Sequence, residues 1–141
     1  MSNELANIPQ GTTVLPSTIT GNTPAEKNRT LRALNASESL AQSVRPGEVF
    51  EVADIFQVPG VRRSRNDNMP DMPCVNTYFL LTDGRSLMSQ SDGIARSVQM
   101  LLSDAMYPDC GRSTEKGHLS LCIAETVLPN GNTLKTVIPV D

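Results

Sequence analysis

The chain has 141 residues, a formal net charge of −3 at pH 7 and an apolar fraction of 38%. This length fits a single domain. The acidic balance excludes a protein that coats nucleic acid through bulk positive charge, although it leaves room for a local basic groove. The sequence shows neither the pattern of a signal peptide nor an apolar run long enough to span a bilayer, so we expect a cytoplasmic protein without membrane contact.

The N-terminal part of the chain is predicted to lie outside the main domain. Residues 1–23 are rich in Thr, Ser, Asn, Pro and Gly, and their few apolar side chains follow no period, which predicts a flexible arm. Such an arm would add little to stability; the alternative is an arm that docks on a neighbouring subunit. A helical lead-in is predicted over residues 24–44, with Thr23 as N-cap and Glu26 completing a capping box.

Residues 45–141 have the pattern of a β-domain. The predicted strands cover residues 48–58, 76–82, 85–90, 118–127 and 133–140. Within the first of them Phe50, Val52, Phe56 and Val58 are assigned to one face, although Asp54 interrupts that face. The next two strands meet at Asp83-Gly84, a dipeptide that fits a two-residue hairpin because both central positions need a positive φ.

One amphipathic helix is predicted over residues 92–106, after the third strand. Its apolar residues recur at helical spacing; they are Ile94, Val98, Leu101, Leu102 and Ala105. Either Ser91 or Asp92 can cap its first turn. We therefore expect Leu101 and Leu102 to be mostly buried.

This order of elements predicts a mainly β protein with flanking helices. Five strands with a helix inserted between the third and the fourth are typical of an OB-fold, here an OB-fold-like five-stranded antiparallel barrel with an N-terminal helical lead-in. A different small α+β barrel or sandwich would produce the same periodicity, and that alternative stays open.

Three short motifs carry a resemblance to a known family. They are Ala33-Leu34-Asn35, Asp83-Gly84 and Ser91-Asp92-Gly93-Ile94. With them, residues 30–140 resemble the small single-stranded DNA-binding proteins of bacteriophages and mobile elements. The resemblance implies an OB-like fold and sequence-tolerant binding of single strands during DNA replication or recombination. It also implies that replication or recombination proteins are partners of such a protein.

Single-strand binding needs cations that follow the phosphates. The candidate cations are Arg62, Arg63, Arg65, Arg85 and Lys135. The first three lie in the polar loop predicted over residues 60–73, a position where OB-folds often grip nucleic acid. The alternative is a solvated hairpin whose arginines are balanced by Asp67 and Asp71.

Bases also need flat side chains on which to stack. Tyr78 and Phe56 are the candidates, because both are predicted in the middle of strands on a face that could be open. Core packing is the alternative for both, since a chain with only five aromatic residues needs some of them inside.

Other chemistry finds little support in the sequence. Cys110, His118 and Cys122 lie within thirteen residues of one another, but no Cys-x₂-Cys pair is present, so small reduced thiols are favoured over a zinc site. The odd number of cysteines points the same way. No Ser or Cys has an evident base beside it in the sequence, so we expect neither an enzyme nor a cofactor.

Two functions from different classes remain. The first is a single-stranded DNA-binding protein with little sequence preference. The second is a structural or interaction protein, in which a small β-barrel assembles into homo-oligomers through its N-terminal arm.

Overall fold

A computed structural model of the chain describes residues 15–64, 68–103 and 105–140. The helices are Pro24–Ala36 (α1), Leu40–Ser43 (α2) and Asp92–Leu101 (α3). The strands are Glu38–Ser39 (β1), Phe50–Arg62 (β2), Met72–Leu81 (β3), Ser86–Ser89 (β4), Leu119–Val127 (β5) and Thr133–Pro139 (β6). The strands form one sheet in the order β1-β4-β3-β2-β5-β6, which curls into a half-barrel. The protein is therefore mainly β, as predicted.

The predicted strand count was wrong by one. The short strand β1 pairs in parallel with β4, where Glu38 lies opposite Leu87 and Ser39 opposite Met88. Because β1 counts as a strand, α3 lies between the fourth and fifth strands and not between the third and fourth. A strand of two polar residues carries no alternation from which it could be predicted. Among the described residues β1 and β6 are the two edges of the sheet, so the barrel is half-open.

A β-bulge in β2 decides which of its side chains reach the core. The pairing register between β2 and β3 shifts between Val52 and Asp54. An extra residue in a strand moves every later side chain to the other face. Phe50 and Ile55 therefore both belong to the main core, whereas Phe56 belongs to a second cluster on the opposite surface. The assignment of Phe50, Val52 and Phe56 to one face was wrong.

The hairpin between β2 and β3 is longer than predicted. Its pairing continues to Arg62 opposite Met72, so both ends of the predicted 60–73 loop belong to strands. Pro59 fits within β2 because β5 pairs with β2 only at residues 50–52, which leaves the later part of that edge without a neighbouring strand. Arg62, predicted in a loop, thus lies at the end of a regular two-stranded ribbon.

The main core lies on the concave side of the sheet beneath α3. Ile94, Val98 and Leu101 from the helix are buried there, which confirms the predicted stripe, while Leu102 is only partly buried. The helix ends at Leu101 and not at 106. At its start, Gly93 lets β6 approach closely, because a Cβ at this position would collide with the carbonyl oxygen of Lys135. No helix in the described ranges is long and apolar enough to cross a membrane.

Residues 15–23, predicted as part of a flexible arm, lie against β2. The Thr18 amide donates to the Ile55 carbonyl at 2.9 Å, and the Gln57 amide donates to the Pro16 carbonyl at 3.0 Å. This short segment pairs with the part of the β2 edge that β5 does not cover. The earlier residues of the predicted arm, 1–14, lie outside the described residues.

The N-terminal segment leads directly into α1, which lies over the convex side of the sheet. Thr23 caps α1 as predicted, accepting a hydrogen bond from the Glu26 amide at 3.2 Å. The N-terminal segment and α1 pack against the sheet in a second apolar cluster, which consists of Ile19, Ala33, Phe56, Tyr78 and Leu80. The sheet is consequently covered on both sides, by α3 on one and by the N-terminal unit on the other.

Candidate nucleic-acid interface

Arg62 is held at the point where the β2–β3 hairpin meets the start of α3. Its guanidinium donates to the Gln90 carbonyl and lies 3.4 Å from a carboxylate oxygen of Asp92. The Gln90 side chain ties the same two elements together, because it donates to Asn76 Oδ1 at 3.0 Å and to the Val61 carbonyl at 3.3 Å. The Arg62 side chain remains 44% exposed, so these contacts fix its position and leave it accessible to solvent.

Arg63 follows Arg62 and is exposed. In the part of the chain that the structure describes, no hydrogen bond or ion pair involves its side chain. Asp71, which the alternative interpretation paired with the arginines, accepts a hydrogen bond from the Ser64 amide at 2.9 Å. Arg65 and Asp67 lie outside the described residues.

A cleft of about 440 Å³ opens along the seam between the two edges of the sheet. Its walls are contributed by β1, α2, β4, the start of α3 and β6, and its lining includes Leu40, Val44, Met88, Gln90, Ile94 and Lys135. Lys135 is 42% exposed, and its ammonium lies 4.0 Å from the Glu125 carboxylate. Gln90 also lines a shallower depression that contains Arg62 and Arg63. The two depressions therefore share Gln90, and both are lined by cations.

Arg85 does not join this group. It follows the β3–β4 turn and donates from Nε to Asp83 at 2.9 Å. Its backbone amide donates to the same carboxylate at 2.9 Å. The backbone hydrogen bond is the largest cause that lowers the pKa of Asp83, and the side-chain hydrogen bond is the next. Arg85 lines neither the cleft nor the shallower depression. Arg85 therefore lies apart from the interface that the two depressions define.

Phe56 and Tyr78 are buried, with 4% and 6% of their surface exposed. They pair across β2 and β3 and stack on each other, with ring centroids 4.9 Å apart and planes inclined by 12°. The structure therefore shows both rings packed inside the protein, as the alternative to base stacking had it. Both rings nevertheless lie on the convex surface and not in the main core.

Asp54 organises a charge cluster that the sequence analysis did not predict. Its carboxylate accepts from Arg112 Nη1 at 2.7 Å, from Arg29 Nη1 at 3.1 Å and from Thr18 Oγ1 at 2.7 Å. Arg112 donates in addition to the Thr18 carbonyl at 2.7 Å, and its hydrogen bond to Asp54 raises its pKa. The signal in the sequence was Asp54 itself, an acid that interrupts an apolar strand.

Glu51 forms a second polar cluster, at the junction of β2 and β5. It accepts from Ser120 Oγ at 2.6 Å and lies 2.8 Å from His118 Nε2, while Lys116 donates to Ser120 Oγ at 2.9 Å. A serine nucleophile would need a base to take its proton. Here the Ser120 hydroxyl donates to the Glu51 carboxylate, which His118 also contacts, so the cluster ties β2 to the start of β5 through side chains.

We expect this network to give Glu51 a share in acid stability. The hydrogen bond from Ser120, followed by that from His118, holds the pKa of Glu51 below its ordinary value of 4.5. A lowered pKa in the folded state stabilises the protein above the ordinary pKa, and this contribution is lost as the pH falls through the lowered value. Glu51→Gln should therefore flatten the loss of stability below pH 4.5, as measured by urea unfolding at stepped pH. An unchanged acid limb would contradict this role.

The three cysteines are free. Cys110 is fully buried, and burial is the largest cause that raises its pKa to about 12, so its thiol stays protonated and unreactive. Cys74 lies on β3 and Cys122 on β5, both partly buried. In the ranges that the structure covers, no group of three or more His, Cys, Asp or Glu side chains is placed to hold a metal ion.

Comparisons with family models, with curated proteins and with solved structures gave no match to this chain. The resemblance to phage single-strand binders thus rests on its short motifs alone. In the structure the first of these motifs lies on α1, the second forms the β3–β4 turn and the third begins α3.

Proposed function

We propose that the protein binds single-stranded DNA with little sequence preference, on an OB-fold-like half-barrel, during phage or mobile-element DNA replication or recombination. The support from the fold is the order of β2, β3, β4, α3, β5 and β6, which follows the five strands and one helix of an OB-fold. The longest hairpin of this order, β2–β3, carries the exposed arginines, and OB-folds use the corresponding loop to contact oligonucleotides.

The observation that carries the proposal is the track from Arg63 to Lys135. Gln90 separates two depressions, of which one carries Arg62 and Arg63 and the other carries Lys135. Arg62 is already fixed by the Gln90 carbonyl and Asp92, so it loses little conformational freedom when it binds a phosphate. The cleft beside Lys135 has accessible apolar side chains, Met88, Ala41 and Pro46, against which the faces of bases can pack.

Arginine and lysine on such a track bind the backbone and not the base edges. Phosphate contacts release condensed counterions, and they carry no sequence information. Sequence-tolerant binding follows from this chemistry. A net charge of −3 is compatible with such a local track, and two acids beside it, Asp92 and Glu125, are each paired with one of its cations, Arg62 and Lys135.

The test is the double variant Arg62→Ala/Arg63→Ala, titrated against fluorescently labelled oligo-dT at several salt concentrations. If both side chains contact phosphates, binding should weaken equally for every sequence, and the slope of log K against log salt should flatten by about 1.4. Lys27→Ala/Arg32→Ala is the matched control, because it removes the same charge from exposed positions on α1. Equal losses of affinity in the two double variants would show that binding depends only on the overall charge of the protein, and this would contradict the proposed track.

A second candidate function, an assembly module, is favoured by exposed apolar side chains. Leu134 and Ile138 on β6 are 38% and 42% exposed, and Leu31 and Leu34 on α1 are 50% and 41% exposed. If this candidate is correct, sedimentation velocity should show a concentration-dependent oligomer that Leu134→Ser/Ile138→Ser abolishes, and oligo-dT should leave the profile unchanged.

A further inference from the structure

The stacked pair Phe56–Tyr78 lies on the convex side of β2 and β3, and each ring has one face against its partner and one face turned away from it. Val58 and Met88 flank it and are only partly buried. Single-strand binders without sequence preference need a surface of this kind, since every base has a π-face that can stack on an aromatic ring. Among the described residues, this surface is covered by residues 15–36, the N-terminal cover, which comprises the segment before α1 and α1 itself.

The N-terminal cover has few apolar anchors. Its buried hydrophobic side chains are Ile19 and Ala33, which are 8% and 1% exposed. Leu31 and Leu34 on the same helix point to solvent. Burial of apolar area is the main source of stability for a packed element, so a thirteen-residue helix with a single buried side chain is weakly held.

The other attachments of the cover are polar and lie at one edge of β2. They are the two backbone hydrogen bonds of Pro16 and Thr18 and the contacts of Arg29, Thr18 and Arg112 around Asp54. Arg29 and Arg112 are 42% and 46% exposed, so water can replace their contacts when the cover lifts. None of these contacts involves a side chain of the main core, because Ile55 takes part through its backbone alone.

The far end of the cover is fixed. Ser37 ends α1 in an extended conformation, and its hydroxyl lies 3.0 Å from that of Ser86 on β4. The following residues, Glu38 and Ser39, pair with β4. A hinge at Ser37 would therefore let residues 15–36 swing away while β1 stays in the sheet. Local opening of a weakly packed element needs much less free energy than global unfolding.

We propose that the N-terminal cover is an autoinhibitory element that competes with single-stranded DNA for the Phe56–Tyr78 surface. This inference rests on the proposed binding function and adds its regulation. When the cover is closed, the single-stranded DNA is bound only by the cations of the track. When it opens, bases stack on the two rings, so the apparent affinity for stacking is the affinity of the open form multiplied by the fraction of molecules that are open.

The first test weakens the cover in the full-length chain. Ile19→Ala removes one of the two buried anchors and should tighten the binding of labelled oligo-dT about tenfold, because more molecules are open. Leu31→Ala is the matched control on the exposed side of α1 and should leave the affinity unchanged. The salt slope should stay the same in both variants, since stacking releases no counterions. Adding Tyr78→Leu to Ile19→Ala should remove the gain.

The second test uses the unaltered chain, so it does not depend on the folding of any variant. Amide hydrogen exchange is followed with and without oligo-dT. The Thr18 and Gln57 amides, whose hydrogen bonds join the cover to β2, should exchange faster when the strand binds. Amides around Tyr78 in β3 should stay protected.

The outcomes separate this inference from the function on which it rests. If the protein binds oligo-dT, but Ile19→Ala binds no tighter and the Thr18 and Gln57 amides keep their protection, the cover is a fixed part of the domain. That result overturns the inference and leaves the proposed function standing. If neither the unaltered chain nor Ile19→Ala binds oligo-dT at low salt, both are overturned.

Discussion

Replacement of Phe79 by Ala is expected to lower the free energy of unfolding by about 3–5 kcal/mol. Phe79 is fully buried, and its ring meets Phe50 edge to face with centroids 5.6 Å apart. Its neighbours across the sheet are Ile55 on β2 and Leu87 on β4. The truncation would remove transfer free energy and leave a cavity where three strands and α3 converge, because close-packed surroundings relax only partly.

Urea unfolding measures this effect as a shift of the midpoint at constant m-value. Met100→Ala is the control, since Met100 lies on the neighbouring helix with 69% of its surface exposed and should change stability by less than about 0.5 kcal/mol. A cost for Phe79→Ala below about 1 kcal/mol would show that the concave core is loosely packed.

Replacement of Asp54 by Ala is expected to have the second-largest effect. It leaves Arg29 and Arg112 without the carboxylate that they share and removes the acceptor of the Thr18 hydroxyl. Breaking a fully buried ion pair costs about 3–5 kcal/mol. Because both guanidinium groups are more than two-fifths exposed and can be hydrated again, we expect a smaller loss of about 2–3 kcal/mol.

The Asp54 effect should be specific to that cluster. Glu125→Ala, which removes an exposed carboxylate 4.0 Å from Lys135, should cost no more than about 1 kcal/mol. Asp54→Asn should lose less than Asp54→Ala, because the amide oxygen still accepts one hydrogen bond. Equal unfolding free energies for Asp54→Ala and Glu125→Ala would show that the contacts of Asp54 with Arg29, Arg112 and Thr18 do not stabilise the protein.

Elements with a sustained pattern could be predicted from the sequence. The apolar stripe of α3, the Thr23 cap of α1 and the alternation along β5 and β6 are local signals, and the structure has each of these elements close to its predicted position. The faces of β2 could not be predicted, because a bulge between Val52 and Asp54 changes the alternation without a residue type that marks it.

The surroundings of the candidate site depend on contacts between distant parts of the chain. Asp54 is joined to Arg29 and Arg112, which lie 25 and 58 residues away in the sequence. Ile19 covers rings that belong to β2 and β3, yet its own segment has no apolar period. Periodicity reports only the neighbours of a residue along its own element, so neither contact could be foreseen. The sequence consequently left base stacking and core packing open for Phe56 and Tyr78, and the structure buries both.

The central claim, binding of single strands without sequence preference, is tested most directly by fluorescence anisotropy of the unaltered protein. Labelled oligo-dT, a mixed-sequence single strand and a duplex of equal length are titrated at two salt concentrations. We predict saturable binding of both single strands with similar affinity, weaker binding of the duplex, and a salt slope near −2, as about three phosphate contacts on a single strand would give. Absence of saturable binding to either single strand at low salt would contradict the claim.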